Sequence, residues 1–335
     1  MRLPWPTCHS RLTKRRKIGY TPALMFSREP DLVVRAPAKI NLTLEILGRR
    51  PDGYHELRSI LMPIGVCDDL AFWRTDDGRI ETAVEAEAGV NLETLGDPVE
   101  NLATRMARLL QTAFAVRAGV SIRIRKRIPV GGGLGGGSAD AAGALVGLNA
   151  LWRLGLPHPA MLDLGAQLGS DIPALVHGGA VIMEGRGERI TPMDLPDGGS
   201  GCRFWIVVAN PGIASPTEEI YRLHNGGLTI RPDLFHNTLL SIRAGDVEAA
   251  SRFLFNGLQP VVFRHFPATQ DLAMRLRAAG ALGVLVSGSG ASVFALVRDQ
   301  KHGDVVRERL GCGFWSVVTT TLPDGVMAAH GPLEP

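Results

Sequence analysis

The sequence is short of cysteine, and its cysteines stand far apart. Among 335 residues there are four, at positions 8, 67, 202 and 312. Their spacing matches neither a disulfide framework nor a cysteine-containing metal site. The N-terminus also lacks the apolar segment of a secretory signal. We therefore expect a cytoplasmic protein whose thiols stay reduced.

A net positive charge is missing from most of the chain. The formal net charge is +3, but residues 1–30 hold seven Lys and Arg and one Glu. The other 305 residues therefore carry a net charge of −3, which argues against the broad basic face of a nucleic-acid-binding protein. Because residues 1–30 also lack an apolar period, we expect a disordered basic extension there, with Met25 as an alternative start.

A membrane-spanning helix is not predicted either. Residues 278–297 carry no charge over 20 residues, which is long enough to cross a bilayer. The run Ser-Gly-Ser-Gly-Ala-Ser at 287–292 divides this stretch into two short β-like segments. We therefore expect no contact with a membrane.

The remaining pattern mixes strands and helices without strict alternation. Residues 38–46 alternate apolar and polar side chains, which predicts a half-buried strand with a polar face, and residues 120–128 predict a strand with a basic face. Apolar periodicity predicts helices at about 101–116, 138–154 and 159–168. Gly and Pro accumulate at 185–203, which predicts a boundary between two α+β domains.

A run of glycines carries the strongest functional signal. Residues 129–140 read Pro-Val-Gly-Gly-Gly-Leu-Gly-Gly-Gly-Ser-Ala-Asp, and these glycines allow backbone N–H groups to approach an anion closely. The predicted helix that follows adds free N–H donors and the positive end of its dipole. Ser138 is the predicted N-cap, unless its hydroxyl turns to a phosphate or Mg²⁺. The loop predicts a polyphosphate site, with a flexible loop that binds no ligand as the alternative.

Two common nucleotide motifs do not fit this loop. No Lys follows the glycines, so the Walker pattern is absent. Gly131, Gly133 and Gly136 formally match a dinucleotide-binding pattern. However, no acidic residue stands between Asp140 and Asp163 to bind the ribose. A dinucleotide oxidoreductase is therefore disfavoured.

The glycine loop resembles the phosphate loop of the GHMP kinases, the superfamily of galactokinase, homoserine kinase, mevalonate kinase and phosphomevalonate kinase. Residues 37–42 (Pro-Ala-Lys-Ile-Asn-Leu) and 287–294 (Ser-Gly-Ser-Gly-Ala-Ser-Val-Phe) are similar to its other motifs. Residues 37–42, 48–57 and 168–173 together resemble one family within it, the 4-diphosphocytidyl-2-C-methyl-D-erythritol kinases. The resemblance covers about residues 33–320.

The resemblance implies both a fold and a reaction. It implies an α+β kinase with a ribosomal S5 domain 2-like domain at 31–190, a ferredoxin-like domain at 191–325 and a tail at 326–335. The implied reaction is phosphorylation of the 2-hydroxyl of 4-diphosphocytidyl-2-C-methyl-D-erythritol, in the non-mevalonate route to isoprenoid precursors. The implied cofactors are ATP and Mg²⁺. The implied partner is this small molecule, and a monomer and a weak homodimer both stay open.

Two charged residues are the catalytic groups that the resemblance implies. Asp171 would accept the hydroxyl proton as general base, while Lys39 would orient it and stabilise the alkoxide. From the residues alone, a helix N-cap stays open for Asp171, and a surface lysine that covers apolar surface stays open for Lys39. The Mg²⁺ ligands are not assigned; Ser138 and Asp140 are the candidates.

Further positions are implied for the two substrates. Tyr54 and His55 would stack on and hydrogen-bond the cytosine, with Tyr221 as the second aromatic; ordinary turn or core packing is the alternative for both tyrosines. The other implied acceptor positions are Asn41, Thr217, Gly288 and Gly290. The implied nucleotide positions are Pro129, Gly131, Gly132, Gly133, Leu134, Gly135, Gly136, Gly137, Ser138, Ala139, Asn101 and Lys126.

The sequence departs from the family pattern at two places, and two alternative functions stay open. Residues 256–259 read Asn-Gly-Leu-Gln where the family commonly has an acidic residue, and Ala214 stands in place of a frequent Ser. A sister kinase with another small alcohol as acceptor is the first alternative. A nucleotide-binding module without catalysis is the second.

Overall fold

The computed structural model describes residues 17–18 and 28–329, apart from 93, 94, 96, 98, 99, 197–201, 225 and 226. Most of the predicted basic extension, including Met25, therefore lies outside the described residues, as does the tail beyond residue 329. Within the described part of the chain, no helix has both the length and the apolar character needed to cross a membrane.

The first of two sheets has nine strands in the described part of the chain and is built mainly from the N-terminal half. Its central strands follow the order β1-β4-β5-β3-β2-β13, while β6 and β9 pair with β3 and β2, and β7 pairs with β6. The strands are β1 (Lys17–Ile18), β2 (Leu32–Arg49), β3 (His55–Thr75), β4 (Ile80–Ala86), β5 (Gly119–Lys126), β6 (Val181–Gly185), β7 (Arg189–Pro192), β9 (Phe255–Asn256) and β13 (Met327–Ala329).

Four helices accompany this sheet, and α2 packs directly on β2 and β3. Small residues allow this close approach: a Cβ on Gly147 would lie 2.8 Å from the Phe72 ring, and one on Gly143 would lie 3.2 Å from Leu70. The core of the first domain therefore fixes the position of α2 on the sheet. The helices are α1 (Leu102–Ala113), α2 (Gly136–Leu151), α3 (His158–Leu168) and α4 (Ile172–His177).

The second sheet has four antiparallel strands in the order β10-β11-β8-β12. These are β8 (Trp205–Asn210), β10 (Gly283–Val286), β11 (Val293–Val297) and β12 (Trp315–Thr320). The helices of this half are α5 (Thr217–Leu223), α6 (Pro232–Arg243), α7 (Val247–Arg252), α8 (Gln259–His265), α9 (Pro267–Ala278) and α10 (Gln300–Leu310). The predicted α+β, two-domain architecture is confirmed.

The chain crosses between the two halves more often than the predicted domain limits imply. The predicted division between residues 190 and 191 falls inside β7. The predicted tail at 326–335 contains β13, which pairs antiparallel with residues 33–35 of β2. The uncharged stretch at 278–297 is confirmed as two strands, β10 and β11, joined by a loop.

One prediction about β2 is wrong. The strand was predicted to be half-buried with one polar face, but the polar residues Lys39, Asn41, Thr43 and Glu45 are buried as well. The reason is that β9 pairs in parallel with β2 at Thr43 and Leu44, and the loop after β10 reaches Lys39. The polar side of the strand therefore faces an enclosed space between the two halves.

Candidate active site

The glycine loop at 129–135 is held by loops from the second half of the chain. The Ser215 N–H donates to the carbonyl oxygen of Gly131 at 2.8 Å, and the Ser292 N–H donates to that of Gly132 at 3.0 Å. The Ser287 hydroxyl donates to the carbonyl oxygen of Gly133 at 3.0 Å. The loop is therefore fixed on its carbonyl side.

Glycine is required in this loop by crowding as well as by backbone conformation. Gly133 and Gly135 have φ values of 73° and 71°, in the region that favours glycine. A Cβ at Gly133 would lie 2.2 Å from the Ser287 carbonyl oxygen, and one at Gly135 would lie 2.9 Å from Cγ of Lys39. Side chains at these positions would thus displace the loop or the lysine.

Helix α2 begins earlier than predicted. Its N-cap is Gly135 in the left-handed conformation, without a capping side chain, so the prediction of Ser138 as N-cap is wrong. The left-handed glycine allows the helix to start at Gly136, which places Ser138 in the first turn. The first N–H groups of a helix have no partners within it, so this turn offers donors and a dipole to an anion.

Lys39 and Asp171 meet beside this turn. Nζ of Lys39 lies 3.4 Å from Oδ2 of Asp171, and the Lys39 N–H donates to the carbonyl oxygen of Leu134 at 2.9 Å. Lys39 is 5% exposed, whereas the side chain of Asp171 is 28% exposed. The lysine is thus enclosed, and the carboxylate beside it is open to a substrate.

Asp171 occupies the N-cap position of α4, but its side chain makes no capping hydrogen bond. The N-cap interpretation therefore describes its position and does not account for its carboxylate. That carboxylate points instead toward Lys39, the partner that the motif resemblance implied.

Asn41 orients the lysine from the same strand. Its Oδ1 accepts a hydrogen bond from Nζ of Lys39 at 2.8 Å, and its Nδ2 donates to the Ser59 hydroxyl at 2.8 Å. The Ser59 hydroxyl in turn donates to the Thr43 carbonyl at 2.6 Å. This chain of bonds fixes the amide so that its oxygen faces Lys39.

The residues predicted to bind the cytosine of the phosphoryl acceptor form a group of aromatic rings. His55 and Tyr221 have ring centroids 5.4 Å apart with a 32° tilt, and Tyr54 is 56% exposed. Burial, with a smaller effect of the nearby His224, lowers the pKa of His55. Burial also raises the pKa of the Tyr221 hydroxyl, and the charge of Asp171 adds to this effect. The aromatic group therefore lies within electrostatic reach of Asp171.

Two further residues beside these rings were not predicted from the sequence. His224 packs edge-on to His55 at a centroid distance of 6.1 Å, and Arg186 lies 5.1 Å from the centroid of the Tyr54 ring. Each comes from a separate segment with no recognisable motif, so only the fold brings them to the rings.

The remaining acceptor positions lie at the start of α5 and in the loop at 287–292. The Thr217 hydroxyl lies 2.9 Å from that of Ser289. A Cβ on Gly288 would lie 3.0 Å from Nζ of Lys39, whereas one on Gly290 would lie 2.8 Å from Val262. Gly288 therefore approaches the reacting groups, and Gly290 packs against the core of the second domain.

Asn101 and Lys126 lie near the nucleotide loop in structural roles. Oδ1 of Asn101 caps α1 by accepting the Ala103 N–H at 2.8 Å. Lys126 is buried beneath the first turn of α2 and donates to Asp68 and, at 2.7 Å, to Asp140. Burial alone would lower the pKa of Lys126, but the two carboxylates raise it above its ordinary value. These partners account for both side chains without a nucleotide, so their role as nucleotide contacts stays a prediction.

The two candidates for Mg²⁺ differ in availability. Asp140 is buried and engaged by Lys126, while Ser138 is partly exposed in the first turn of α2. Within the described ranges, no three or more His, Cys, Asp or Glu side chains form a group that could hold a metal ion. Of the two candidates, the Ser138 hydroxyl is therefore the more accessible.

Comparison with known proteins identifies related sequences. The family model of the GHMP kinases N terminal domain matches residues 101–179, and that of the GHMP kinases C terminal region matches residues 238–316. A 4-diphosphocytidyl-2-C-methyl-D-erythritol kinase from Pelotomaculum thermopropionicum is 40% identical over 274 residues, covering 82% of this chain and 92% of the relative. One from Symbiobacterium thermophilum is 39% identical over 278 residues, covering 83% and 94%.

Solved structures are similar over the same range. A crystal structure of 4-(cytidine 5'-diphospho)-2C-methyl-D-erythritol kinase has a TM-score of 0.69 at 33% identity, covering 86% of this chain and 98% of that one. A homoserine kinase from Cytophaga hutchinsonii has a TM-score of 0.70 at 16% identity, covering 91% and 99%. At 16% identity the second likeness extends to the fold alone.

Proposed function

The chain belongs to the 4-diphosphocytidyl-2-C-methyl-D-erythritol kinase family of the GHMP kinases, and from this premise we propose its acceptor and its catalytic residues. The family makes it an ATP-dependent kinase of isoprenoid biosynthesis. The proposed reaction transfers the γ-phosphoryl group of ATP to the 2-hydroxyl of 4-diphosphocytidyl-2-C-methyl-D-erythritol. A bond forms between that oxygen and phosphorus, the bond to ADP breaks, and the hydroxyl proton goes to a base.

One observation carries the assignment of the catalytic groups: the 3.4 Å contact between Lys39 and Asp171 beside the first turn of α2. Phosphoryl transfer requires mainly positioning and charge stabilisation. The partly exposed carboxylate of Asp171 accepts the hydroxyl proton. The enclosed ammonium of Lys39 orients that carboxylate and stabilises the developing alkoxide, and its near exclusion from water strengthens both effects.

The phosphates of ATP bind at the glycine loop and the start of α2. The free backbone N–H groups of this turn are the proposed donors to the phosphate oxygens. The hydrogen bonds from Ser215, Ser287 and Ser292 hold the loop in this conformation. Mg²⁺, when bound, neutralises charge on the phosphate oxygens, and the Ser138 hydroxyl is the side chain that suits it.

The cytidine end of the acceptor binds at the aromatic group. Tyr54 offers an exposed face for stacking, and the His55–Tyr221 pair borders the same region. Stacking of this kind contributes about 1–3 kcal/mol per base. Asn41 and Gly288 lie beside Lys39, and together with Thr217 they are the further residues proposed to contact the acceptor.

The test is an ADP-release assay with several acceptors. We expect ADP release with 4-diphosphocytidyl-2-C-methyl-D-erythritol and none above background with mevalonate or homoserine. Release with either of those would identify a sister kinase. ATP binding without ADP release with any acceptor would identify a nucleotide-binding module.

Asp171→Asn tests the proposed base in the same assay. We expect turnover to fall by roughly two to four orders of magnitude. Asp171 makes no capping bond, so any loss of stability in the variant reflects its contact with Lys39, and a melting curve checks that the variant folds. Near-wild-type turnover would remove Asp171 from the role.

A further inference from the structure

Asn256 is a buried amide that the reaction described so far does not use. It forms the end of the two-residue strand β9 and is 2% exposed. Its Nδ2 donates to the carbonyl oxygens of Val286 at 2.9 Å and Gly288 at 2.7 Å. Its Oδ1 accepts the Leu258 N–H at 2.8 Å. Both ends of the side chain are therefore engaged with backbone.

The strand that carries Asn256 is attached to the strand that carries Lys39. Asn256 pairs with Leu44 in the parallel ladder between β9 and β2, and the next residue, Gly257, donates its N–H to the Leu44 carbonyl at 2.9 Å. Asn256 is thus fixed to the first domain while its side chain holds a loop of the second.

The loop that Asn256 holds is in contact with the reacting groups. A Cβ on Gly288 would lie 3.0 Å from Nζ of Lys39, 3.2 Å from the Gly133 carbonyl oxygen and 3.4 Å from Oδ1 of Asn41. The Ser287 hydroxyl donates to the Gly133 carbonyl at 3.0 Å. The turn at 287–288 therefore lies against the ammonium of Lys39, next to Gly133 and Asn41.

We propose that Asn256 is a positioning residue for phosphoryl transfer, which holds the turn at 287–288 over Lys39 and thereby keeps the ammonium against Asp171. This rests on the proposed function. An amide suits the task because it supplies two N–H donors for two carbonyl oxygens and one acceptor for an N–H. An aspartate in its place supplies no donor when ionised and a single O–H when protonated, so it cannot bond both carbonyl oxygens, and the turn is released.

Asn256→Asp, which keeps the size of the side chain, tests the proposal in the full-length protein. We expect kcat to fall roughly 10- to 100-fold, the cost of a small misplacement of a reacting group, with the KM for ATP changed less than about threefold. Asn149→Asp is the matched control. Asn149 also bonds a loop through both amide atoms, to the N–H and carbonyl of Leu156, but it lies at the far end of α2. The kcat of Asn149→Asp should therefore stay within about twofold of the wild-type value.

A second readout needs no turnover. Lysine acetylation by acetic anhydride, followed by mass spectrometry of the unliganded protein, reports the exposure of Lys39 directly. In Asn256→Asp we expect Lys39 to react at least about fivefold faster, while the buried Lys126 stays protected and the exposed Lys301 serves as the reference. Equal gains at Lys126 and Lys39 would indicate general loosening and would overturn the proposal.

Asn256→Ala tests the same bonds if Asn256→Asp does not fold. It removes both donors to the Val286 and Gly288 carbonyl oxygens, so it should produce the same selective loss of kcat and the same reactivity of Lys39. Unchanged kcat and unchanged Lys39 reactivity in the variant that folds would refute the proposal. If the wild type phosphorylates no cytidine-containing acceptor, the proposed function fails, and acetylation alone decides whether Asn256 shields Lys39.

Discussion

At the scale of single residues, the cluster under the first turn of α2 shows how burial changes acidity. Asp68 accepts the N–H groups of Arg127 and Ile128 at 2.6 and 2.9 Å, besides Lys126. Asp140 accepts from Lys126, but its Oδ1 has no hydrogen-bond partner among the described residues. Burial, helped by the charge of Asp68, raises the pKa of Asp140 to about 8. Asp140 is therefore the carboxyl of this cluster whose neutral form burial favours, against the opposing charge of Lys126.

Asp140→Asn should flatten the pH dependence of stability. Unfolded Asp140 loses its proton near pH 3.8, whereas folded Asp140 keeps it until about pH 8. The stability that this group contributes is thus complete below about pH 4 and is lost as pH rises to about 8. Asparagine imitates the protonated form, so the variant should gain melting temperature relative to the wild type as pH rises from 5 to 8.

Thermal melts at pH 5, 6, 7 and 8 measure this difference. The control is Asp163→Asn, a change at an exposed carboxylate, which should leave the pH profile unchanged. Parallel curves of melting temperature against pH in the wild type and in Asp140→Asn would contradict the raised pKa of Asp140.

Lys126 also marks the limit of inference from local pattern. Alternation at residues 120–128 correctly predicts strand β5, whose residues Arg123 and Arg125 are half-buried. The pattern cannot reveal that Lys126 turns inward, because its partner Asp68 stands 58 positions earlier in the chain. The motif resemblance, by contrast, correctly indicated that Lys39 and Asp171 would be neighbours, since it carries information about the fold that a local pattern lacks.

At the scale of elements, the glycine loop combines residues under different constraints. Gly133 has positive φ and no room for a side chain, because backbone atoms of Ser287 and Gly290 lie within 3 Å of its Cβ position. Gly137 is exposed in the first turn of α2, where a Cβ would meet only Leu102 at 3.5 Å. The two glycines should therefore respond differently to the same substitution.

Gly133→Ala should destabilise the protein, and Gly137→Ala should not. Overpacking against backbone costs about 1–3 kcal/mol, which corresponds to a fall of roughly 5 °C in the melting temperature. At Gly137, alanine is the better helix former by about 1 kcal/mol, so the melting temperature should stay or rise. Calorimetry of both variants decides, and a Gly133→Ala variant that melts with the wild type would mean that Ser287 and Gly290 do not crowd this position.

The identity of most elements was predictable, but the burial of β2 was not. Alternation in residues 38–46 identifies a strand because period two is a local property. Its polar side is covered by residues 255–256 and by the turn at 287–288, and the Ser287 hydroxyl lies 248 positions beyond Lys39. The sequence of the strand itself contains no signal that these distant segments cover it. The start of α2 was misplaced for a related reason, since a Ser is the usual N-cap, whereas here a left-handed glycine begins the helix.

At the scale of the whole molecule, the end of the chain returns to the first domain. The Leu322 N–H donates to the Pro63 carbonyl at 2.8 Å, and the Val326 N–H donates to that of Leu175 at 3.1 Å. A Cβ on Gly325 would lie 2.4 Å from the Leu175 carbonyl oxygen. Strand β13 then adds to β2. The segment after the second sheet therefore stabilises the first.

Truncation tests this attachment. A chain that ends after Pro323 loses β13 and the contacts of residues 325 and 326, so we expect its melting temperature to fall by roughly 5 °C or more. A chain that ends after Ala329 retains all of these contacts and should melt with the full-length protein. Equal melting of all three chains would show that the return strand contributes nothing to stability.

The closure of the phosphate loop by residues 287–292 has a consequence during synthesis. A nascent polypeptide that has emerged from the ribosome only to about residue 280 possesses the glycine run, the ammonium and the carboxylate, but lacks the segment that braces them. In such a chain the glycine run lacks the hydrogen bonds from Ser287 and Ser292. The braced phosphate loop can therefore form only after most of the second domain has been synthesised.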